Sequence, residues 1–253
     1  MKRNIKLTIE YDGTNYHGWQ SQARGGGPTI QDTLEQALKT LCNEEMKTLS
    51  SGRTDAGVHA LGHVACFRTS STIPSAAWTP ALNHLLPPDI RVLASEEVST
   101  DFHARYSALA KTYKYRILSR RAQTALYRNY AWHVQVPLNV VRMRKAISYL
   151  IGRHDFSSFR GAGCNAKSPV RTMKSAVIRK TGEFIEFYFE ADAFLRYMVR
   201  NVTGTLVEVG LGRFSPEDVK SILHARDRRL AGKTAPPHGL YLVKVTYPEF
   251  EKS

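Results

Sequence analysis

The sequence predicts an α+β fold, and observations of three kinds carry that reading. Several segments alternate apolar and polar residues, as Ile5, Leu7 and Ile9 do with Lys6, Thr8 and Glu10, which is the period of a half-buried strand. Other segments have helical period and begin or end on residues that cap helices. Many connections suit hairpins, which favours a mostly antiparallel, mixed sheet with helices on one face. Strands and helices alternate loosely in both halves around the polar-aromatic connector Asp101–Tyr106, so the expected domains are 1–105 and 106–253. No internal repeat is strong enough to claim duplication.

The elements follow in order. Tyr11-Asp12-Gly13-Thr14 ends the first strand as a turn. Asn15–Gln20 mixes aromatic and polar groups and reads as packing more readily than as a base-stacking surface. Arg24–Pro28 is a glycine-heavy loop. Thr29, with Asp32 three residues on, opens a helix in a near capping box, with Ile30, Leu34, Ala37, Leu38 and Leu41 as its apolar stripe. Met46–Ser50 and Gly62–Phe67 read as strands. Ser75–Leu86 reads as a helix with Trp78, Leu82 and Leu85 inward, kept short or kinked by Pro80. Ile90, Val92 and Ala94 begin another strand.

In the second half, Lys111–Ile117 is a strand that places Tyr113, Tyr115 and Ile117 on one face. Leu138–Ile151 is predicted helical with Gly152 just past its end, and Asp155–Arg160 is a loop. Met173–Arg179 and Glu183–Ala191 flank Thr181-Gly182 as a hairpin. Phe194–Val209 is predicted helical, and Ser215-Pro216 opens a further helix. Gly239–Val245 is a closing strand.

The 253 residues suffice for a substantial core. Lys and Arg number 36 against 22 Asp and Glu, a net charge of +14. That excess, spread along the chain, fits a folded surface for a polyanion, nucleic acid first. There is no apolar run of membrane-spanning length and no signal-peptide core near Met1, so a cytoplasmic protein without membrane attachment is expected. Cys42, Cys66 and Cys164 are odd in number and widely spaced, as free thiols are. His59, His63 and Cys66 lack the spacing and partners of a zinc site, so no metal is expected.

The chemistry centres on Ser51–Ala60, a polar loop bracketed by Gly52 and Gly57. Glycines let the backbone take positive φ or approach a ligand closely, and the loop presents Asp55 between two strands. A carboxylate near cations such as Arg53 stays ionised. It can then serve as nucleophile, base or metal ligand. On loop chemistry alone, a turn residue bonding its own backbone is the commoner case.

The run Gly52-Arg53-Thr54-Asp55-Ala56-Gly57-Val58-His59-Ala60 resembles the signature of the tRNA pseudouridine synthase A (TruA) family. Further similar segments occur in order: Ile9–Gly13, Asp101–Arg105 with Lys111–Tyr115, Phe194–Asn201, and Gly239–Leu242. The resemblance implies two similar α+β domains with an active-site cleft between them. It implies Asp55 as the essential catalytic residue, Arg200 as its ion-pair partner, Tyr113 stacking on the target uracil, and Leu240 as a pocket wall. It also gives Arg53 a part in displacing the base. Without the resemblance, Tyr113 and Tyr115 read as a core face of a strand, and Arg196 with Arg200 as a solvated helix face.

The implied reaction breaks the uridine N1–C1′ bond, turns the base and joins C5 to C1′, with no cofactor. The implied partners are tRNA, bound at its anticodon stem-loop for reaction at positions 38, 39 and 40, and a second copy of the chain in a homodimer. Arg24, Arg105, Lys111 and Arg160 are candidates for the RNA-facing surface, although each alone reads as an ordinary solvated cation. Open alternatives are a synthase acting on another RNA and an RNA-binding protein without catalysis. A glycoside hydrolase would want two facing carboxylates, and the motif supplies one.

Overall fold

The structure is a computed structural model that describes residues 2–22 and 26–248. It is α+β, with a mixed, mostly antiparallel sheet arrangement and, among the described residues, five α-helices. The chain forms two compact units, Met1–Leu109 with Tyr241–Ser253, and Ala110–Leu240. This differs from a simple division into 1–105 and 106–253, because the end of the chain returns to the first unit. Apolar patterning marks the last strand as a strand, but it does not say which neighbour that strand will pair with.

In the first unit β1 (Arg3–Tyr11) is central, with buried and partly exposed residues alternating along most of its length. It pairs antiparallel with β3 (His59–Thr69) on one side and β4 (Ile90–Val98) on the other. The short β2 (Leu49–Ser50) also joins β3, so only the end of the expected Met46–Ser50 strand is formed. The last strand, β10 (Leu240–Thr246), lies parallel to β3 through Tyr241↔His59 and Leu242↔Ala60.

The first helix, α1 (Ile30–Cys42), begins where expected, with the Thr29 side chain accepting from the Asp32 N–H. The second, α2 (Trp78–Leu85), follows a short 3-10 turn over Ser75–Ala77. Pro80 sits in its first turn, where the missing N–H has no intrahelical acceptor anyway, so it produces no break. Trp78 and Leu82 are buried and Trp78 meets Phe67 edge-on at 5.0 Å, but Leu85 is 39% exposed and does not join them.

The second unit orders its strands β5 (Ala110–Ser119), β9 (Phe184–Ala191), β8 (Val170–Thr181) and β7 (Gly152–Asp155), all antiparallel. The short β6 (Trp132–Val134) lies parallel to β5. Neither β6 nor β7 is legible in the sequence, because three or four residues are too few to show a period. The helix expected over Leu138–Ile151 is shorter: α3 (Val140–Ser148) is capped by Asn139, and Gly152, at φ 110°, opens β7.

Helix α4 runs Met198–Gly210, four residues shorter at its start than the predicted Phe194–Val209. Every residue from Asn201 to Gly210 is buried. The chain over residues 228–236 closes on it so tightly that a Cβ on Gly204 would sit 1.7 Å from the Lys233 carbonyl oxygen. Last, α5 (Pro216–Ala225) carries the expected N-terminus, a Ser215–Asp218 capping box with proline beside it.

One polar group ties α1 to the chain beyond it. Glu35 is 9% exposed. Its Oε1 accepts from Gln31 Nε2 (2.9 Å), the Thr48 N–H (2.9 Å) and Thr48 Oγ1 (3.0 Å), and Oε2 meets Lys47 Nζ at 2.9 Å. Burial pushes this carboxyl up, but the donors from Thr48, Lys47 and Gln31 outweigh it and hold it below the ordinary glutamate value. A carboxylate lowered in the folded state contributes stability above the unfolded value and loses it as pH falls through the folded one. Glu35→Gln keeps an oxygen for Thr48. It is expected to cost about 1–2 kcal/mol at neutral pH and to make urea stability less dependent on pH below about 4.5 than in the wild type.

Candidate active site

In the first unit, the loop that carries Asp55 is seated by the chain that follows β1. Asp12 closes the turn after that strand: its Oδ1 accepts from the Thr14 N–H at 2.9 Å and from Thr14 Oγ1 at 2.5 Å. The chain then runs beside the loop. The Trp19 N–H donates to the Thr54 carbonyl (3.2 Å), the Gly57 N–H to the Tyr16 carbonyl (3.2 Å), and the Val58 N–H to the Asp55 carbonyl (3.2 Å).

Gly57 takes the positive φ expected of it, at 74°, whereas Gly52 is not among the left-handed residues. The glycines that matter most lie outside the loop. At Gly18 (φ 88°) a Cβ would stand 2.4 Å from the Thr54 oxygen, and at Gly13 it would stand 2.0 Å from the Val58 oxygen. The two stretches of backbone therefore touch with no side chain between them. Sequence reading assigned the permissive role to the loop's own glycines and missed this pair. The available signal was Gly13 just before the aromatic segment and Gly18 within it.

Beneath the loop lies a buried aromatic floor. Tyr11 Oη is 2.8 Å from Thr54 Oγ1 and 3.4 Å from His63 Nδ1, and Trp19 stacks on His63 with ring centroids 3.9 Å apart. Trp19 and Tyr16 are buried, so Asn15–Gln20 serves packing. His59 Nδ1 lies 3.1 Å from the Gly13 nitrogen and 3.1 Å from Asp12 Oδ1. A ring nitrogen accepting the Gly13 N–H carries no proton, so in that tautomer the approach to Asp12 is not an ion pair. On this floor Asp55 is half-buried and Arg53 exposed, its Nε donating to Gln20 Oε1 at 3.1 Å.

In the second unit, Tyr113 and Tyr115 share the buried face of β5, as the alternation predicts. Tyr113 meets Phe194 edge-on at 4.9 Å and is 8% exposed. Tyr115 Oη donates to the Pro236 carbonyl at 2.7 Å. Burial pushes the Tyr115 phenol well up, and the charge of Arg200 pulls it partly back.

Arg200 is in the first turn of α4. Its Nε donates to the Ala235 carbonyl at 2.8 Å, and the Ala235 N–H returns a bond to the Arg200 carbonyl at 3.1 Å. Arg196 is not on the helix with it. Tyr197 stands between them at φ 61°, with Arg196 and Arg200 centred 4.8 and 4.9 Å from its ring. This cation–π stack was not legible in the sequence, because a left-handed tyrosine at a helix start has no pattern to announce it.

The remaining candidates are dispersed. Lys111 is half-buried at the start of β5, and Leu240 is buried. Arg105 is exposed in the connector before β5, over the Tyr106 ring. Arg160 donates to the carbonyls of Cys164 and Ala166. Arg24 lies outside the described residues. Among the described residues, no three His, Cys, Asp or Glu side chains are grouped so as to hold a metal, and no helix is long and apolar enough to cross a membrane.

A strand-borne loop displaying one carboxylate, in an α+β chain with this surplus of basic charge, fits the class of proteins that handle a polyanion. The family is given by comparison. The model of the tRNA pseudouridine synthase family matches residues 7–107 and 146–248, and this chain belongs to that family. Asp55, Arg200 and Leu240 lie in the matched segments, whereas Tyr113 lies between them.

A tRNA pseudouridine synthase A of Thermoanaerobacter sp. (strain X514) is 49% identical over 245 residues, covering 97% of this chain and 100% of its own. The tRNA pseudouridine synthase A 2 of Clostridium tetani is 47% identical, covering 98% and 100%. The Myxococcus xanthus tRNA pseudouridine synthase A is 48% identical, covering 96% and 91%. A solved Cbf5-Nop10-Gar1 complex matches at a TM-score of 0.35 and 10% identity, over 94% of this chain and 57% of the other, which is too remote to support a likeness of fold.

The backbone contact gives a direct test of how the loop is held. Gly18→Ala introduces a methyl group where the Thr54 oxygen lies and imposes a side chain on φ 88°. It is expected to cost about 2–3 kcal/mol in urea unfolding and to speed hydrogen exchange at the Trp19 and Gly57 amides. Unchanged exchange at both would show that the loop is held some other way.

Proposed function

We propose that this protein is a tRNA pseudouridine synthase that converts uridine to pseudouridine in the anticodon stem-loop, at positions 38, 39 and 40. Family membership over nearly the whole chain carries the reading. The seating of Asp55 in a braced, half-exposed loop supports it. The reaction cleaves N1–C1′, rotates the retained base and forms C5–C1′. The proton on C5 leaves to solvent and N1 gains one, so the isomerisation balances with no oxidant and no net hydrolysis.

Asp55 acts as nucleophile or base in this reaction, and Arg200 is the cation that keeps a catalytic carboxylate ionised. The Nε bond to the Ala235 carbonyl and the Tyr197 ring hold the Arg200 guanidinium, which supports its use as an oriented charge. Tyr113 supplies the aromatic surface for a uracil swung out of its stack, a contact contributing about 1–3 kcal/mol. The unstacking it offsets costs a few kcal/mol. Leu240 walls the base site, and Arg53 takes the place of the departed base. Arg24, Arg105, Lys111 and Arg160 contact the RNA backbone. The working form is a cytoplasmic homodimer.

The test uses tRNA carrying tritium at uridine C5, from which pseudouridine formation releases label. Asp55→Asn is expected to bind tRNA within about threefold of the wild type (roughly 0.65 kcal/mol) and to release no label above background. Tyr113→Ala is expected to lower kcat/KM by about 5–150-fold, the equivalent of the stacking energy. Full turnover by Asp55→Asn would refute the assignment.

A further inference from the structure

A concavity of about 690 Å³ lies within the second unit, lined by Arg160, the backbone of Gly161–Gly163, Cys164, Arg226 and Arg228 among others. Its charge is not compensated as surface charge usually is. Arg160 Nη2 donates to the Cys164 and Ala166 carbonyls. Arg228 donates to the Ala231 carbonyl (3.2 Å), Asn201 Oδ1 (3.1 Å) and Thr234 Oγ1 (3.1 Å). These acceptors are neutral, so they fix the guanidinium groups in place without cancelling their charge. Among the described residues, no carboxylate pairs with either one.

Burial alone pulls Arg228 below the ordinary arginine value, as expected of a cation without a counter-ion. The acidic group on the rim, Asp227, is taken up by its own neighbour, with Arg229 Nη2 at 2.6 Å from Oδ2. Arg226 meets Asp155 at 3.3 Å and is otherwise largely exposed. A further guanidinium, that of Arg196, donates to the Ala162 carbonyl (3.2 Å) and Tyr197 Oη (3.1 Å), again neutral acceptors.

Arginine presents five N–H donors. Among the described residues, no carbonyl or carboxylate oxygen accepts from Nε or Nη1 of Arg160. A rigid fork with spare donors and uncancelled charge suits a phosphate oxygen pair. We infer that this concavity seats one backbone phosphate of the RNA, held by Arg160 and Arg228 with Arg226 at its rim. The inference rests on the reading of the protein as acting on tRNA. It names a place on the chain where that polyanion is gripped, through two residues, Arg226 and Arg228, that the sequence shows only as part of its spread of basic charge.

Cys164 provides a reporter in the same wall. Burial pushes its thiol up, but the N–H groups of Arg196 and Ala166 and the Arg160 guanidinium outweigh that and hold it below the ordinary cysteine value. Burial pushes Cys42 and Cys66 up, by contrast. The thiolate is the reactive form, so iodoacetamide should label Cys164 first.

The experiment measures tRNA affinity against NaCl for the wild type, Arg160→Gln, Arg226→Gln, and Lys180→Gln as a control on an exposed strand end. Each lost phosphate contact should lower the slope of log K against log salt by about 0.7–0.9. Over a fourfold rise in salt, wild-type affinity should then fall about threefold further than that of Arg160→Gln or Arg226→Gln. Lys180→Gln should keep the wild-type slope. Wild-type slopes in both pocket variants would overturn the proposal.

If Arg160→Gln fails to fold, Arg226→Gln and cysteine labelling decide. With tRNA at about ten times Kd, Cys164 labelling should slow about tenfold, and an unchanged rate would overturn the seat. A wild type that binds tRNA but forms no pseudouridine would refute the activity and leave the seat standing. Active protein whose pocket variants keep the wild-type slope would refute the seat alone.

Discussion

The first unit depends on a contact that has no side chains in it. The chain leaving β1 and the loop leading into β3 lie backbone to backbone, with Gly13 and Gly18 at the points of closest approach. Three N–H bonds lock the two stretches and the turn of the loop itself. Buried amides and carbonyls must be paired, so this arrangement satisfies the backbone of an irregular loop and leaves Asp55 at its crest. The aromatic floor of Tyr11, Trp19 and His63 supports it from below and ties Thr54 to β1. A loop built this way behaves as part of the strand framework, and such rigidity is what positions a reacting group closely.

The second unit solves a different problem. Its helix α4 is buried nearly all round, which its composition of Val, Thr, Gly and Leu permits. Polar groups at its start are therefore met by the chain over 228–236. Asn201 donates to the Phe159 carbonyl at 2.9 Å and accepts from Thr234 and Arg228. Arg160, Arg196 and Arg228 in this region are held by carbonyls, an amide oxygen, hydroxyls and an aromatic face. Elsewhere in the unit, Arg116 and Lys114 share Glu186. Cations held by neutral partners keep their charge for something else. The net charge of +14 is thus concentrated in effect, because part of the basic set is neutralised locally and part is not.

Much of the fold was legible because the signals were local. Ser215, Pro216 and Asp218 announce a helix start by capping chemistry alone, and β1, β5 and the β8–β9 hairpin show their period plainly. Errors arose where several local readings are equally good. Phe194–Tyr197 has helical composition, yet it turns instead, because Tyr197 takes a left-handed backbone to lie between two guanidinium groups. Leu85 has the spacing of a core residue, yet α2 ends there and leaves it exposed.

By itself, then, the sequence determined the helices and the longer strands, the basic character and the run around Asp55. These are properties of neighbouring residues and of composition, and they survive without knowledge of what packs where. Tertiary structure decided that the last strand lies parallel to β3, that glycines of one segment seat the loop of another, and that Arg160 and Arg228 face the same hollow with no carboxylate to answer them. Each of those joins residues far apart in the chain. Their pairing is set by which surfaces fit once the core has closed, and no short window of sequence contains both partners.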